Sequence, residues 1–169
     1  MWLRDALPIR QPSIRAVLFG YDTTLAGSDS FKSIPHLASS LNDTLEASGL
    51  GTSASKPLIF LAHSLGGIIV EEALVASASS HGRGRQILQR TAGAVLFGTP
   101  ARGMETQALM TMVSGQANAG LIRDLTAPSG YLRSLEDRFF DVATDGRMKL
   151  FWAFETKTSP TVSVSPSLP

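Results

Sequence analysis

Cysteine is absent from this 169-residue chain, which removes disulfide staples, thiolate nucleophiles and cysteine-held zinc from consideration. Neither sign of charge is in excess: 15 Lys and Arg against 14 Asp and Glu give a net charge of +1. Binding nucleic acid by neutralising phosphates needs a dense basic face, so nucleic acid is not an expected partner. Unbroken apolar runs are missing as well. The most apolar stretch, from Pro57 to Ala76, is interrupted by His63, Ser64, Glu71 and Glu72, so no integral membrane span is expected. The opening residues MWLRDALPIRQP place Asp5 and two prolines where a secretory leader needs an apolar core. These absences predict a soluble, intracellular chain, with the cytoplasm as its expected address. Histidine is scarce at three residues, so each one matters when a catalytic base is sought.

What is present is a globular balance, 43% hydrophobic and 17% charged, in a length suited to one domain that buries roughly 70% of its unfolded surface. Short, nearly continuous apolar runs occur at Ala16–Gly20, Leu58–Ala62, Ala94–Gly98 and Met148–Phe154. Runs of this kind suit strands of a parallel sheet covered on both faces. Stretches with helical spacing lie between them. Ile34, Leu37, Leu41 and Leu45 form one stripe, with Ser33 as N-cap and Gly49 and Gly51 as the stop. Leu132, Leu135, Phe139 and Val142 form another. From Gly66 to Ser79 apolar residues cover most of the circumference, which predicts a buried helix, and Met104 to Leu125 is helical in parts. The alternation predicts a three-layer α/β/α domain over residues 1–156, its mostly parallel sheet carrying helices on both faces. Residues 157–169 are rich in Ser and Pro and predict a disordered or extended tail.

The segment that carries chemistry is Leu58-Ile-Phe-Leu-Ala-His-Ser-Leu-Gly-Gly-Ile-Ile-Val70, an apolar strand that runs through a tight turn straight into a helix. A serine in such a turn needs small neighbours two residues either side, and Ala62 and Gly66 supply them, with alanine in place of the more usual first glycine. The turn would present the Ser64 hydroxyl above the sheet as a nucleophile. The helix N-terminus would aim the Leu65 N–H, an oxyanion donor, at developing negative charge. The plainer alternative is that Ser64 caps the helix and the glycines allow close packing.

With these residues in place, the sequence resembles the α/β-hydrolase superfamily, and within it the lipase-like domains of the "serine active site containing" proteins and their fungal relatives. The blocks that carry the resemblance are Trp2-Leu-Arg-Asp-Ala-Leu-Pro8, Phe19-Gly-Tyr-Asp22, Leu61-Ala-His-Ser-Leu-Gly-Gly67, Ala94-Val-Leu-Phe-Gly-Thr-Pro-Ala-Arg-Gly103 and Phe154-Glu-Thr156. It implies a partial α/β-hydrolase fold and a serine esterase or lipase acting on ester or lipid-like small molecules. Association with endoplasmic reticulum or mitochondrial membranes enters only as a property of relatives.

A serine nucleophile needs a base, and the base an orienting acid. His63 adjoins the serine but leaves the turn in another direction. His81 lies beyond the following helix, on the other edge of the sheet. His36 falls on the correct edge, but the family's strand order sets it about 10 Å to the side. The resemblance implies a histidine after a further strand, and no residue here matches it, so the base is not found. Glu155, at the end of the last strand and on the edge where ligands of open α/β sheets bind, is the candidate acid, with a surface strand end as its other reading. Asp145 belongs to the opposite edge, and Asp22 reads as a turn residue. The family's first strand and glycine-rich loop would precede Met1, and a chain truncated at both ends is the expectation. Arg83-Gly-Arg85 reads as a solvated loop, and the Ser159-Pro and Ser165-Pro pairs as parts of the tail. No phosphate loop, metal cluster or dinucleotide fingerprint is present, so no cofactor is expected. The expected function is a serine hydrolase of weak or no turnover. The alternatives are a non-catalytic interaction or signalling module, or an incomplete gene product.

Overall fold

The computed structural model describes residues 2–24, 27–52 and 54–154. Two short helices, α1 (Trp2–Asp5) and α2 (Leu7–Arg10), open the chain. The ordered body follows as α3 (Ile34–Ala47), β1 (Leu58–His63), α4 (Leu65–Ser79), α5 (Arg83–Arg90), β2 (Thr91–Phe97), α6 (Gln107–Met112), α7 (Ala119–Asp124), α8 (Gly130–Asp145) and β3 (Lys149–Ala153). The strands form one parallel sheet in the order β1-β2-β3, with Phe60 opposite Ala94 and Ala94 opposite Leu150. Parallel neighbours need crossover connections, and helices supply them.

The helices form where the sequence spacing placed them. The α3 stripe of Ile34, Leu37, Leu41 and Leu45 is buried, joined by Ala38. On α8, Leu132, Leu135 and Phe139 are buried, with Ala143 buried in place of the expected Val142, which is only partly covered, and the Ser129 hydroxyl accepts the Leu132 N–H at 3.1 Å to cap it. Helix α4 is enclosed on most sides by α3, α5, α8 and β1, which explains its nearly all-apolar circumference. Arg83-Gly-Arg85, expected as a loop, forms the first turn of α5 instead, with Gly84 buried against Ser80.

One strand face meets this helical layer. Phe60, Ala62, Ala94, Leu96, Leu150 and Trp152 join the core. The opposite face carries Ile59 (65% exposed), Leu61 (55%), Phe97 (43%) and Phe151 (61%). The structure is thus a partial α/β fold, with its helical layer on one face among the described residues. The first apolar run, Ala16–Gly20, is expected as a strand, but among the described residues it forms none and pairs with no strand. Val17 and Leu18 are exposed there, and only Phe19 reaches the core. A strand is held by its neighbours' hydrogen bonds, and among the described residues no strand pairs with this run or with the outer edge of β1. No helix of the described residues is long and apolar enough to cross a membrane.

Candidate active site

A single residue, Ser64, separates β1 from α4, and its backbone lies at φ 52°, ψ −126°. Positive φ is rare outside glycine, and this ψ leaves even the left-handed helical well, a conformation that costs about 1–3 kcal/mol. The surroundings hold it there. Its N–H donates to the Phe97 carbonyl at 2.9 Å, extending the β1–β2 ladder one residue past the strand, and its carbonyl accepts the Gly67 N–H at 3.0 Å. The side chain is half-buried at the carboxyl edge of the sheet.

Small residues make the turn possible. A Cβ on Gly67 would collide with Thr99, whose Cγ2 would lie at 2.7 Å and Cβ at 2.8 Å. Helix and loop therefore meet at a distance only glycine permits. The first turn of α4 contains no acidic residue, so the positive end of its dipole is not neutralised from within the helix.

The loop leaving β2 and the end of β3 lie on the same edge as Ser64. A cleft of about 440 Å³ opens between them and α8, lined by Thr99, Arg102, Glu136, Phe140, Trp152 and Phe154 among others. Its character is apolar and aromatic, with one loose ion pair, Arg102 Nε to Glu136 Oε2 at 3.9 Å. The Thr99 hydroxyl is buried between the cleft and the start of α4 without a hydrogen-bond partner.

Glu71 lies one turn beyond Gly67 on α4, 1% exposed, with Oε1 unpartnered. Burial, and secondarily the charge of Glu136, pushes its carboxyl up to about 8. Sequence reasoning missed this residue, although a Glu71-Glu72 pair inside an otherwise apolar helix was its signal. Glu72 is the conventional member of the pair, accepting the Tyr131 hydroxyl at 3.0 Å and meeting Arg138 at 3.5 Å.

The histidines are scattered. His63 ends β1 on the open face of the sheet and is exposed. His36 Nδ1 lies 3.0 Å from the Ser33 hydroxyl and 3.4 Å from its N–H, and so closes the start of α3. Exposed His81 follows the far end of α4, about 22 Å along the helix axis from Ser64, beside Ala78 and Arg85. Asp22 accepts the Thr24 N–H at 2.9 Å, a local turn that lowers its pKa. Asp145 ends α8 just before β3, on the edge away from Ser64. Glu155 lies outside the described residues, as does the segment 157–169.

The fold and this edge define a class: a partial α/β fold with a conformationally strained serine where strand β1 gives way to helix α4. The chain is similar to Protein SERAC1 of Mus musculus, 26% identical over 162 residues, which cover 92% of this chain and 24% of that protein. Protein SERAC1 of Bos taurus (26% over 161 residues) and of Homo sapiens (25% over 161) align with the same coverage. The chain therefore spans about a quarter of the length of these curated relatives. No protein-family model matches it. Among solved structures, the mature form of the Bacillus licheniformis lipase BlEst2 aligns with a TM-score of 0.46 and 17% identity, covering 72% of this chain and 47% of that one.

Proposed function

We propose that the chain is a lipase- or esterase-like serine hydrolase domain in which Ser64 is the nucleophile. The observation that supports this best is the Ser64 backbone at φ 52°, ψ −126° between β1 and α4, a strained conformation with no purpose in a simple helix cap. In the proposed reaction the Ser64 hydroxyl passes its proton to solvent water as its oxygen bonds to the carbonyl carbon of an ester or thioester, and the C=O π pair moves onto the carbonyl oxygen. The Leu65 N–H donates to the resulting oxyanion. Collapse breaks the bond to the leaving group, which departs as alkoxide or thiolate and takes a proton from solvent, and water then hydrolyses the acyl-enzyme to a carboxylic acid and free Ser64. The aromatic cleft beside Thr99 favours apolar acyl groups. Glu155 is proposed as the acid, since β3 ends at Ala153 on the serine's edge.

No histidine of this chain is proposed as the base, because His36 is engaged at its helix start and His81 stands at the opposite end of α4. Without a base the rate falls by about four to six orders of magnitude, so turnover is expected to be slight. That same scatter of histidines favours a second reading, a hydrolase-derived module that binds a partner without catalysis. A fluorophosphonate probe tells the two apart. Covalent labelling that Ser64→Ala abolishes supports the nucleophile, whereas a folded chain that stays unlabelled overturns it.

A further inference from the structure

Leu65 supplies one oxyanion donor, and a tetrahedral intermediate is normally held by at least two. The structure offers a second from an element far away in sequence. Apart from its chain neighbours and its own helix backbone, the space beside Gly66, in the first turn of α4, is approached within 4 Å by two groups of the described residues. A Cβ built there would lie 3.6 Å from the Tyr21 hydroxyl oxygen and 4.0 Å from the Ala62 methyl. The phenol therefore lies beside the first turn of α4, at the residue two positions after Ser64. We propose that the Tyr21 hydroxyl is the second hydrogen-bond donor to the oxyanion formed at Ser64, an inference that rests on Ser64 being the nucleophile.

Four features favour this role over simple packing. The ring is fixed: it meets Phe19 at a centroid distance of 6.0 Å, and both rings lie against the core. The segment is pinned further along, where the Asn118 side-chain amide donates to the Thr24 carbonyl at 3.1 Å and the Gly27 N–H donates to Gln116 at 2.8 Å. A donor held from both sides meets the developing charge without having to reorganise. The hydroxyl itself makes no hydrogen bond among the described residues, although half-buried tyrosines usually find one. Burial raises the phenol's pKa, so the group keeps its proton, and its ability to donate, throughout the neutral range.

The test is the second-order rate of Ser64 labelling by an alkyl fluorophosphonate, whose phosphoryl oxygen occupies the oxyanion position. Tyr21→Phe, which deletes only the hydroxyl, is expected to slow labelling by about 100-fold with an unchanged melting temperature. Should that variant unfold, difluorotyrosine at position 21 keeps the ring's shape and lowers the pH at which the donor is lost. The alkaline fall in labelling would then move to lower pH, a shift that packing alone does not produce. Labelling at the wild-type rate in Tyr21→Phe, or an unmoved pH profile in the difluorotyrosine protein, overturns the role of Tyr21 and leaves Ser64 standing. A wild-type chain that fails to label overturns both.

Discussion

Ser64 and Gly98 occupy matching positions on neighbouring strands. His63 pairs with Phe97 across the β1–β2 ladder, and the next residue on each strand turns through positive φ, 52° for the serine and 53° for the glycine. The Gly98 N–H continues the ladder to the Ala153 carbonyl at 2.7 Å, as the Ser64 N–H does to Phe97. A positive φ is thus adopted twice along one edge, once by the residue that takes it freely and once by a residue that resists it.

Replacing the serine by the freer residue should relieve that resistance. Ser64→Gly is expected to raise unfolding free energy by about 1 kcal/mol in urea titrations while abolishing fluorophosphonate labelling. Ser64→Ala retains the Cβ and should show no such gain. Equal stabilities for the glycine and alanine variants would remove the strain argument.

Contact between Gly67 and Thr99 gives a second prediction. Gly67→Ala drives a methyl into the threonine and should destabilise the fold by about 2 kcal/mol or more. Because the Thr99 Cβ itself lies 2.8 Å from the new methyl, Thr99→Ala should restore only part of the loss, and Thr99→Gly more. Strictly additive effects in this double-mutant cycle would show that the two residues do not touch.

Glu71 sets a pH dependence. Its folded-state pKa is raised from the ordinary 4.5 to about 8, so between those values the folded chain holds a proton that the unfolded chain releases. Its contribution is therefore complete below pH 4.5, declines by at most about 1.4 kcal/mol per pH unit as pH rises, and levels off above pH 8. Glu71→Gln should flatten that decline in thermal melts recorded from pH 5 to 8. Glu136→Gln, which removes only the secondary charge effect, should move its end to lower pH. A wild-type melting temperature that does not fall across this window would contradict the burial of an unpartnered carboxyl.

The two faces of the sheet should respond differently to mutation. Leu96 is 0% exposed, and Leu96→Ala should cost about 2–5 kcal/mol, whereas Leu61→Thr on the open face should stay within about 0.5 kcal/mol. Similar losses at both positions in denaturant titrations would mean that the outer face is covered in solution.

Much of this architecture was legible in the residues, and where legibility failed is instructive. The pentapeptide Ala-Val-Leu-Phe-Gly occurs at 16–20 and again at 94–98. The second copy lies almost wholly within β2, flanked by β1 and β3, while the first pairs with no strand among the described residues. Identical local chemistry thus has two outcomes, because hydrogen-bonded neighbours rather than composition decide whether an apolar run becomes a strand. The helices were easier to place, since a stripe such as Ile34-Leu37-Leu41-Leu45 carries its own geometry and needs only a surface to lie on. At the site, the strand–Ser64–helix junction was written locally. The approach of Tyr21 to Gly66 and the burial of Glu71 depend on segments remote in sequence, and no spacing rule reports them.

The Ser64 N–H hangs from the Phe97 carbonyl, so the serine's unusual torsion survives only while the first two strands remain joined. Parting them would let that backbone unwind into an everyday conformation and swing the hydroxyl away. The reactivity of one alcohol thereby becomes a gauge of sheet cohesion, fading on gentle heating or in dilute denaturant before the helices lose their circular-dichroism signal.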